Sequence, residues 1–420
     1  KELGLFYFAD DVGPGVPLFT PKGEMLRYLM EGYVRQTQTR YGYQHVWTGH
    51  VVKEDLYKRS GHYENYKDAM FPPMVDENVT FRLKPMNCPS HMTLFREMGR
   101  HSYRELPLRF AEFATLYRYE KTGELNGLTR VRALTQDDCH TFCTEEQIES
   151  EFLLSLNLIR EVLERYRFTD YRVRLSLRGK GGKYVQDDEK WDKAENALRS
   201  AMNAAGLEYF EAEGEAAFYG PKADFMANDV LGREWQLSTI QVDFIQPARL
   251  GLTYIGEDGA EHVPVVLHRA VTGTTERFLG VLIEHFAGAF PVWLSPVQAM
   301  LIPIADRHIE YARQVAEQLK QAGLRVEGLG FQPLPLSGRE GGAIPFRLPG
   351  VSRTFLLTPF VLDAASGRIL AALASTAQEF WQGGDKQRLG TIVASPDAPG
   401  TLADPPIAVV VEAVTQGRQQ

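Results

Sequence analysis

Two long β-type segments that follow one another along the chain constrain the fold most. Residues 107–119 and 128–143 each predict a strand, and the short turn Lys121–Glu124 between them favours antiparallel pairing. A long amphipathic helix is predicted next, from Glu145 to Tyr166, with Thr144 as its cap. Strands that follow strands, with helices between the groups, indicate an α+β domain built around an antiparallel sheet.

Further elements are predicted on both sides of this hairpin from the spacing of apolar residues. They are a helix over 21–40, strands over 43–52, 171–177, 234–246 and 262–268, and a helix over 273–289.

A second domain is predicted after the Pro-rich segment Pro291–Pro296. Val297–Ala305 predicts a continuous apolar strand, and Asp306–Ala322 predicts a helix that Asp306 caps. Strand–helix order in a new unit indicates a small α/β domain. We therefore predict two domains, over residues 1–295 and 296–420.

Composition narrows the class of protein. The chain has 420 residues, of which 44% are hydrophobic and 24% charged, as in an ordinary globular protein. Its net charge of −8 argues against a generic nucleic-acid coat but not against a local basic patch. The three cysteines exclude a disulfide scaffold and fit a reducing compartment.

The sequence shows neither a membrane-spanning segment nor a signal peptide. No stretch reaches the roughly 18 apolar residues that a membrane span requires, and the N-terminus lacks a signal-peptide pattern. A cytoplasmic protein without membrane contact is therefore expected. The chain begins with Lys1 rather than Met, which suggests that it is cut from a longer one.

Three residues of the type that binds soft metals are scattered along the chain. Cys88, His140 and His268 have no zinc-finger spacing, so they are either buried core residues or the ligands of a catalytic metal with an open position. Cys139 and Cys143 are either rival ligands or packing residues.

Arginines are concentrated on the predicted hairpin. Arg109, Arg118, Arg130 and Arg132 could converge on a polyphosphate, because the planar guanidinium binds phosphate oxygens in pairs. The alternative is a solvated, charged hairpin. The Gly-rich stretch RGKGGK at 178–183 lacks the P-loop pattern and predicts only a loop.

Several ordered blocks resemble the catalytic core of class II aminoacyl-tRNA synthetases, and within that class the threonyl-tRNA synthetase family. The resemblance runs from about Leu3 to Gln321. Its blocks include LKPMNCPSHM, LRFAEFATLYRYEKTGELNGLTRVRALTQDDCHTFCTEEQI, AAFYGPKADF, WQLSTIQVDF and HRAVTGTTERFLGVLIEHFAGAFPVWLSP. It implies an antiparallel sheet flanked by helices and a homodimer formed through residues 28–60. It also implies that Cys88, His140 and His268 bind one Zn²⁺ per chain.

The resemblance implies further site residues. Arg118 would hold the α-phosphate of ATP and the substrate carboxylate, and Arg277 would stack on adenine and touch phosphate. The residues implied for catalysis are Arg118, Arg277 and Lys222. Those implied for the amino acid are Gln136, Asp138, Tyr219 and Gln241, with Asp138 receiving the ammonium group. Those implied for the nucleotide are Glu120, Arg130, Gln236, Thr239 and Arg277.

The implied activity joins L-threonine to tRNA(Thr) with ATP and Mg²⁺. The threonine carboxylate would attack the α-phosphate, a step that needs positioning and charge neutralisation rather than a nucleophilic side chain. Zinc would select threonine, because an apolar pocket alone separates threonine from valine by only about 10²-fold. Serine, which differs by one methyl group worth about 1–3 kcal/mol, would be rejected less well.

Two other functions stay open. A paralogue could adenylate an amino acid yet transfer it elsewhere or bind tRNA poorly, and a non-catalytic protein could use the scaffold for zinc-stabilised binding. Residues 331–420 carry 7 basic and 7 acidic side chains, which is little positive charge for an anticodon-binding domain. Leu134 replaces the aromatic residue that the family usually packs on adenine.

Overall fold

The structure, a computed structural model, describes residues 3–182, 184–229, 232–302 and 309–328 and, beyond these, four short strands. The chain divides into two units. The larger comprises Phe8–Leu18 and Met30–His285, and the other comprises Lys1–Tyr7, Phe19–Leu29 and Phe286–Gln420. Within the described part, no helix is long and apolar enough to cross a membrane.

The helices and strands are numbered in chain order. The helices are α1 (Pro21–Arg40), α2 (Glu54–Ser60), α3 (His62–Tyr66), α4 (Cys88–Glu97), α5 (Ile148–Arg165), α6 (Asp188–Ala204), α7 (Gln246–Arg249), α8 (Thr275–His285) and α9 (Ile309–Gln321). The strands are β1 (Phe6–Tyr7), β2 (Leu18–Phe19), β3 (Gln44–His45), β4 (Val51–Lys53), β5 (Met74–Asp76), β6 (Val79–Leu83), β7 (His101–Ser102), β8 (Leu108–Tyr117), β9 (Ala133–Cys143), β10 (Tyr171–Leu177), β11 (Tyr209–Glu213), β12 (Lys222–Asn228), β13 (Glu234–Asp243), β14 (Tyr254–Ile255), β15 (Glu261–His262), β16 (Val265–Ala270), β17 (Ala299–Ile302), β18 (Val326–Glu327), β19 (Ile344–Arg347), β20 (Thr354–Leu357), β21 (Thr391–Val393) and β22 (Ala408–Val411).

The larger unit is built on an eight-stranded sheet with the order β11-β10-β12-β13-β16-β9-β8-β3. The pairs from β10 through β12, β13, β16 and β9 to β8 are antiparallel, and the outer pairs β10–β11 and β3–β8 are parallel. The predicted hairpin is confirmed as β8–β9, which pairs from Leu108↔Phe142 to Tyr117↔Ala133. The α+β class predicted from the sequence is therefore confirmed.

Helix α5 covers one side of this sheet. It follows a 3₁₀ turn at Glu145–Gln147, where the Thr144 N–H donates to Gln147 Oε1 at 3.0 Å and closes a capping box. Its buried stripe contains Phe152, Leu156, Ile159 and Leu163. Residues 110–114 in the middle of β8 are all buried, so the strand is covered on both faces at this point.

Some predicted elements are wrong in extent. The strand predicted over 43–52 is two short strands, β3 and β4, because Thr48 and His50 between them bond other parts of the unit instead of a ladder. The strand predicted over 262–268 is also divided, because His262 belongs to β15 and β16 begins at Val265. Helix α6 and strands β11 and β12 were not predicted.

From Ala299 to Glu327 the smaller unit contains a strand, a helix and a parallel strand, in the predicted order. β17 pairs in parallel with β18, and α9 connects them. β17 covers Ala299–Ile302, and the rest of the predicted strand, up to Ala305, and the predicted cap Asp306 lie outside the described residues. Gly323 follows α9 with a φ of +83°, the left-handed conformation in which helices often end. Most of 331–420 also lies outside the described residues.

Candidate active site

One face of the central sheet carries most of the predicted site residues. Because side chains alternate along a strand, Gln136, Asp138 and His140 of β9 share that face. His140 pairs with His268 of β16, and His268 pairs with Gln241 of β13. The strand register therefore brings together residues that lie far apart in the sequence.

A β-bulge adds another residue to this face. The pairing of β12 with β13 shifts at Leu237, so that Gln236 and Thr239 face the same way although their numbers differ by an odd count. Gln236 Nε2 and Thr239 Oγ1 both donate to Asp224 Oδ1 at 2.8 Å. Lys222 Nζ lies 3.2 Å from Asp224 Oδ2. Asp224 was not among the predicted site residues, because strand β12, on which it follows Lys222 by two positions, was not predicted.

The three soft ligands converge. The ligand atoms of Cys88, His140 and His268 all lie within 4.8 Å of one another, and all three residues are buried. Cys88 is the first residue of α4, and the two histidines are neighbours on adjacent strands. These three residues therefore form one buried cluster, an arrangement that favours the metal-ligand alternative.

Each histidine keeps one nitrogen free for a metal. His268 Nε2 is 3.0 Å from Asp243 Oδ2, and His140 Nδ1 is 2.8 Å from His91 Nδ1. The other nitrogens, His268 Nδ1 and His140 Nε2, are buried and have no hydrogen-bond partner within the described part of the chain. Two such nitrogens and a thiol fit a catalytic metal with three protein ligands and an open position.

Cys139 and Cys143 do not join this centre. Both occupy odd positions on β9 and so face away from His140. Cys139 Sγ instead accepts from Gln38 Nε2 at 3.5 Å. Their reading as rival ligands is wrong.

Burial disfavours the charged forms of the ionisable side chains in this region. It raises the pKa of the Cys88 thiol well above its usual value, so a thiolate here needs a nearby cation. Burial, followed by the charges of Glu112 and Asp137, raises the pKa of Asp138 to about 8. Asp138 Oδ1 lies 3.8 Å from His140 Nε2, beside the proposed metal position.

Arginine side chains gather at the other end of the face. Arg277 donates from Nε to the Thr129 carbonyl at 3.0 Å, and its pKa is lowered by burial and by the charges of Arg118 and Arg130. Arg118 Nε is buried without a hydrogen-bond partner among the described residues. Arg130 pairs with Glu120 at 2.9 Å. Such a group favours a polyanion.

Two of the four hairpin arginines do not belong to this group. Arg109 forms a two-pronged ion pair with Glu151 of α5, with both N···O distances at 2.6 Å. Arg132 donates to the Glu120 carbonyl at 2.9 Å. The prediction that all four converge is wrong, because Arg109 lies on the face of the sheet that α5 covers, opposite to His140.

Tyr219 packs beside the histidine end of the face. Its hydroxyl donates to Gln241 Oε1 at 2.5 Å, and its ring centre lies 4.9 Å from that of His268. The next residue must be glycine, since a Cβ on Gly220 would lie 2.3 Å from the Val242 carbonyl oxygen.

Leu134 is buried with Ala114, Leu116 and Val131.

The fold and this arrangement of residues define a class of protein. Residues 70–286 match the tRNA synthetase class II core domain (G, H, P, S and T), and the chain belongs to that family.

Within this family, the chain is similar to threonine–tRNA ligases of two bacteria. The chain is 74% identical over 329 residues to the threonine–tRNA ligase of Rubrobacter xylanophilus, covering 78% of this chain and 51% of that protein. It is 53% identical over 332 residues to that of Thermus thermophilus, covering 78% and 50%. The chain thus spans about half the length of these relatives.

A solved structure of part of a threonyl-tRNA synthetase is also similar to this chain. The RNA binding domain of threonyl-tRNA synthetase from Cryptosporidium parvum superposes with a TM-score of 0.74 at 40% identity, covering 78% of this chain and 81% of that one.

Proposed function

We propose that this chain is the catalytic core of a threonine–tRNA ligase. It activates L-threonine with ATP to threonyl-adenylate and transfers the threonyl group to the 3′ end of tRNA(Thr). The observation that carries the proposal is the convergence of Cys88, His140 and His268 with two buried nitrogens left free. The threonine–tRNA ligases among its relatives support the same amino acid.

Zinc is the metal proposed for this centre, because one thiolate and two imidazoles with an open position are a common catalytic zinc set. Bound there, it would supply a Lewis acid that distinguishes a hydroxyl-bearing amino acid from its apolar isostere valine. Asp138, beside the free nitrogen of His140, is proposed to receive the substrate ammonium group. Gln136, Tyr219 and Gln241 are proposed to complete the amino-acid pocket.

The nucleotide is proposed to bind over the arginines. Arg118 would satisfy its free Nε with an oxygen of the α-phosphate or of the threonine carboxylate. Arg130 would bind the γ-phosphate and Arg277 would stack on adenine. Glu120 would accept from the adenine amino group, with Gln236 and Thr239 completing the nucleotide contacts.

The activation step follows from this placement. A carboxylate oxygen of threonine attacks the α-phosphorus in line, a new C–O–P linkage forms, and pyrophosphate leaves with its electron pair. Negative charge on the phosphate oxygens is neutralised by Arg118, Arg277, Lys222 and the Mg²⁺ that accompanies ATP. The carboxylate is already ionised, so no side chain has to remove a proton.

A homodimer in the cytoplasm is the assembly and location that we propose. The dimer would form through residues 28–60. Trp47 is 76% exposed and Val51 is 50% exposed in that segment, which supports a partner surface there.

Two assays run side by side test this function. Threonine-dependent exchange of pyrophosphate into ATP measures activation, and charging of tRNA(Thr) measures transfer. We expect both from the zinc-loaded chain. Exchange without transfer would favour a paralogue with another acceptor, and the absence of both would favour a non-catalytic binding protein.

A further inference from the structure

A third histidine lies behind the proposed metal centre. His91 follows Cys88 by one turn of α4 and is fully buried. Its Nδ1 is 2.8 Å from Nδ1 of His140, and its Nε2 is 2.9 Å from Oε2 of Glu112. A carboxylate, an imidazole and a metal-facing imidazole thus form one continuous chain of hydrogen bonds.

The proton in the bond between the two histidines decides whether His140 can bind a metal. If His140 Nδ1 donates, Nε2 of the neutral ring carries a free lone pair directed at the metal position. If His91 donates instead, His140 carries its proton on Nε2 and cannot bind a cation there. The positions of the heavy atoms alone allow both patterns.

Glu112 selects between these two patterns. Its Oε1 accepts the Thr48 N–H at 3.0 Å, and its Oε2 accepts the Thr48 hydroxyl at 2.9 Å. Buried Lys84 lies 3.7 Å from Oε1 and offsets its charge. An ionised carboxylate can only accept, so His91 Nε2 must donate to it and His91 Nδ1 is left to accept from His140.

Asn87 is the one competing donor that the structure places at His91. Its Nδ2 lies 2.8 Å from His91 Nε2 and 2.9 Å from Glu112 Oε2. Its Oδ1 faces Lys84 Nζ at 3.0 Å, which fixes the amide orientation because Lys is only a donor. The charged carboxylate is the stronger acceptor for both neighbouring N–H groups.

We propose that Glu112 and His91 are positioning residues that act in series to fix the tautomer of His140, so that its Nε2 is presented to the metal. The proposal rests on the proposed function, because it requires the metal centre described there. His268 has the same arrangement in a shorter form, since Asp243 contacts its Nε2 directly and leaves Nδ1 free. Outer hydrogen-bond partners of this kind commonly orient metal-bound histidines.

Glu112→Gln tests the direction of the protons. The amide NH₂ that replaces one carboxylate oxygen can donate to His91 Nε2, which reverses the order and puts a proton on His140 Nε2. We expect zinc affinity to fall about 10- to 100-fold. His91→Phe, which removes the acceptor, should have a similar effect, whereas His91→Asn keeps an amide oxygen for His140 and should restore part of the affinity.

Two readouts that do not involve threonine are used on the full chain. Competition with a chromophoric chelator gives zinc affinity, and long-range ¹H–¹⁵N spectra of histidine-labelled protein give the protonated nitrogen of His140. The matched control is Glu151→Gln, the same chemical change at a buried carboxylate that pairs with Arg109 away from the metal position. It should lower stability and leave zinc affinity unchanged.

The outcomes separate this proposal from the proposed function. Wild-type zinc affinity in Glu112→Gln and His91→Phe, metal binding through Nδ1 of His140, or no zinc binding by the wild-type chain would each overturn it. If Glu112→Gln does not fold, the His91→Phe and His91→Asn pair decides. A zinc-loaded chain with the expected tautomer but no threonine-dependent exchange would refute the proposed function alone.

Discussion

The guanidinium group of Arg118 has no anionic partner in the described part of the chain. Its buried Nε has no acceptor there, and one of its terminal nitrogens contacts only the sulfur of Met86 at 3.5 Å. Burial without a partner is costly for a polar group, so such a residue favours a bound anion.

Arg118→Gln should therefore weaken activation. Because the substituted amide cannot neutralise a developing charge on phosphate, we expect threonine-dependent exchange to fall about 10²- to 10³-fold. The control is Arg172→Gln, which removes an exposed arginine paired with Glu234. Exchange by Arg118→Gln at the rate of Arg172→Gln would contradict the role given to Arg118.

At this scale the sequence supplied candidate side chains but not their hydrogen bonds. Cys88, His140 and His268 were candidates from their residue types. Which nitrogen stays free on each histidine depends on Glu112, acting through His91, and on Asp243, which contacts His268 directly. Both contacts are made by residues far apart in the sequence. Residue type and spacing in the sequence therefore could not predict these contacts.

At the scale of elements, one ion pair connects α5 to β8. Arg109 and Glu151 make two short hydrogen bonds, and only 5% of the Glu151 side chain is exposed. Removing one partner of a buried pair leaves the other charge unpaired, which is strongly destabilising.

Glu151→Ala should lower the free energy of unfolding by about 3 kcal/mol or more. Urea unfolding followed by circular dichroism measures it. The comparison is Glu161→Ala, which breaks the more exposed pair with Arg40 and should cost at most about 1 kcal/mol. Equal losses in the two variants would show that the Arg109 pair does not hold the helix.

The elements that the sequence predicted well have strong patterns. β8, β9 and α5 are long, and α5 has a clear apolar stripe. Helix α6 was not predicted, although its buried positions Trp191, Ala194, Leu198 and Ala201 follow the spacing of one helix face. The bulge at Leu237 and the register across the sheet depend on tertiary pairing, so local patterns could not predict them.

At the scale of the whole molecule, the eight-stranded sheet explains how distant segments make one site. Its middle strands carry His140, His268 and Gln241 side by side, and α4 brings Cys88 to them. We propose that this group of residues holds the metal that selects threonine.

Cys88→Ser tests that claim most directly, with Cys143→Ser as a control at a second buried thiol on the opposite face of β9. Zinc content and pyrophosphate exchange with threonine, serine and valine are measured on both variants and on the wild-type chain. We predict that Cys88→Ser loses zinc and threonine-dependent exchange together. Cys143→Ser should keep both, with threonine preferred, serine accepted weakly and valine rejected. A Cys88→Ser chain that lacks zinc yet still activates threonine and excludes valine would contradict the account.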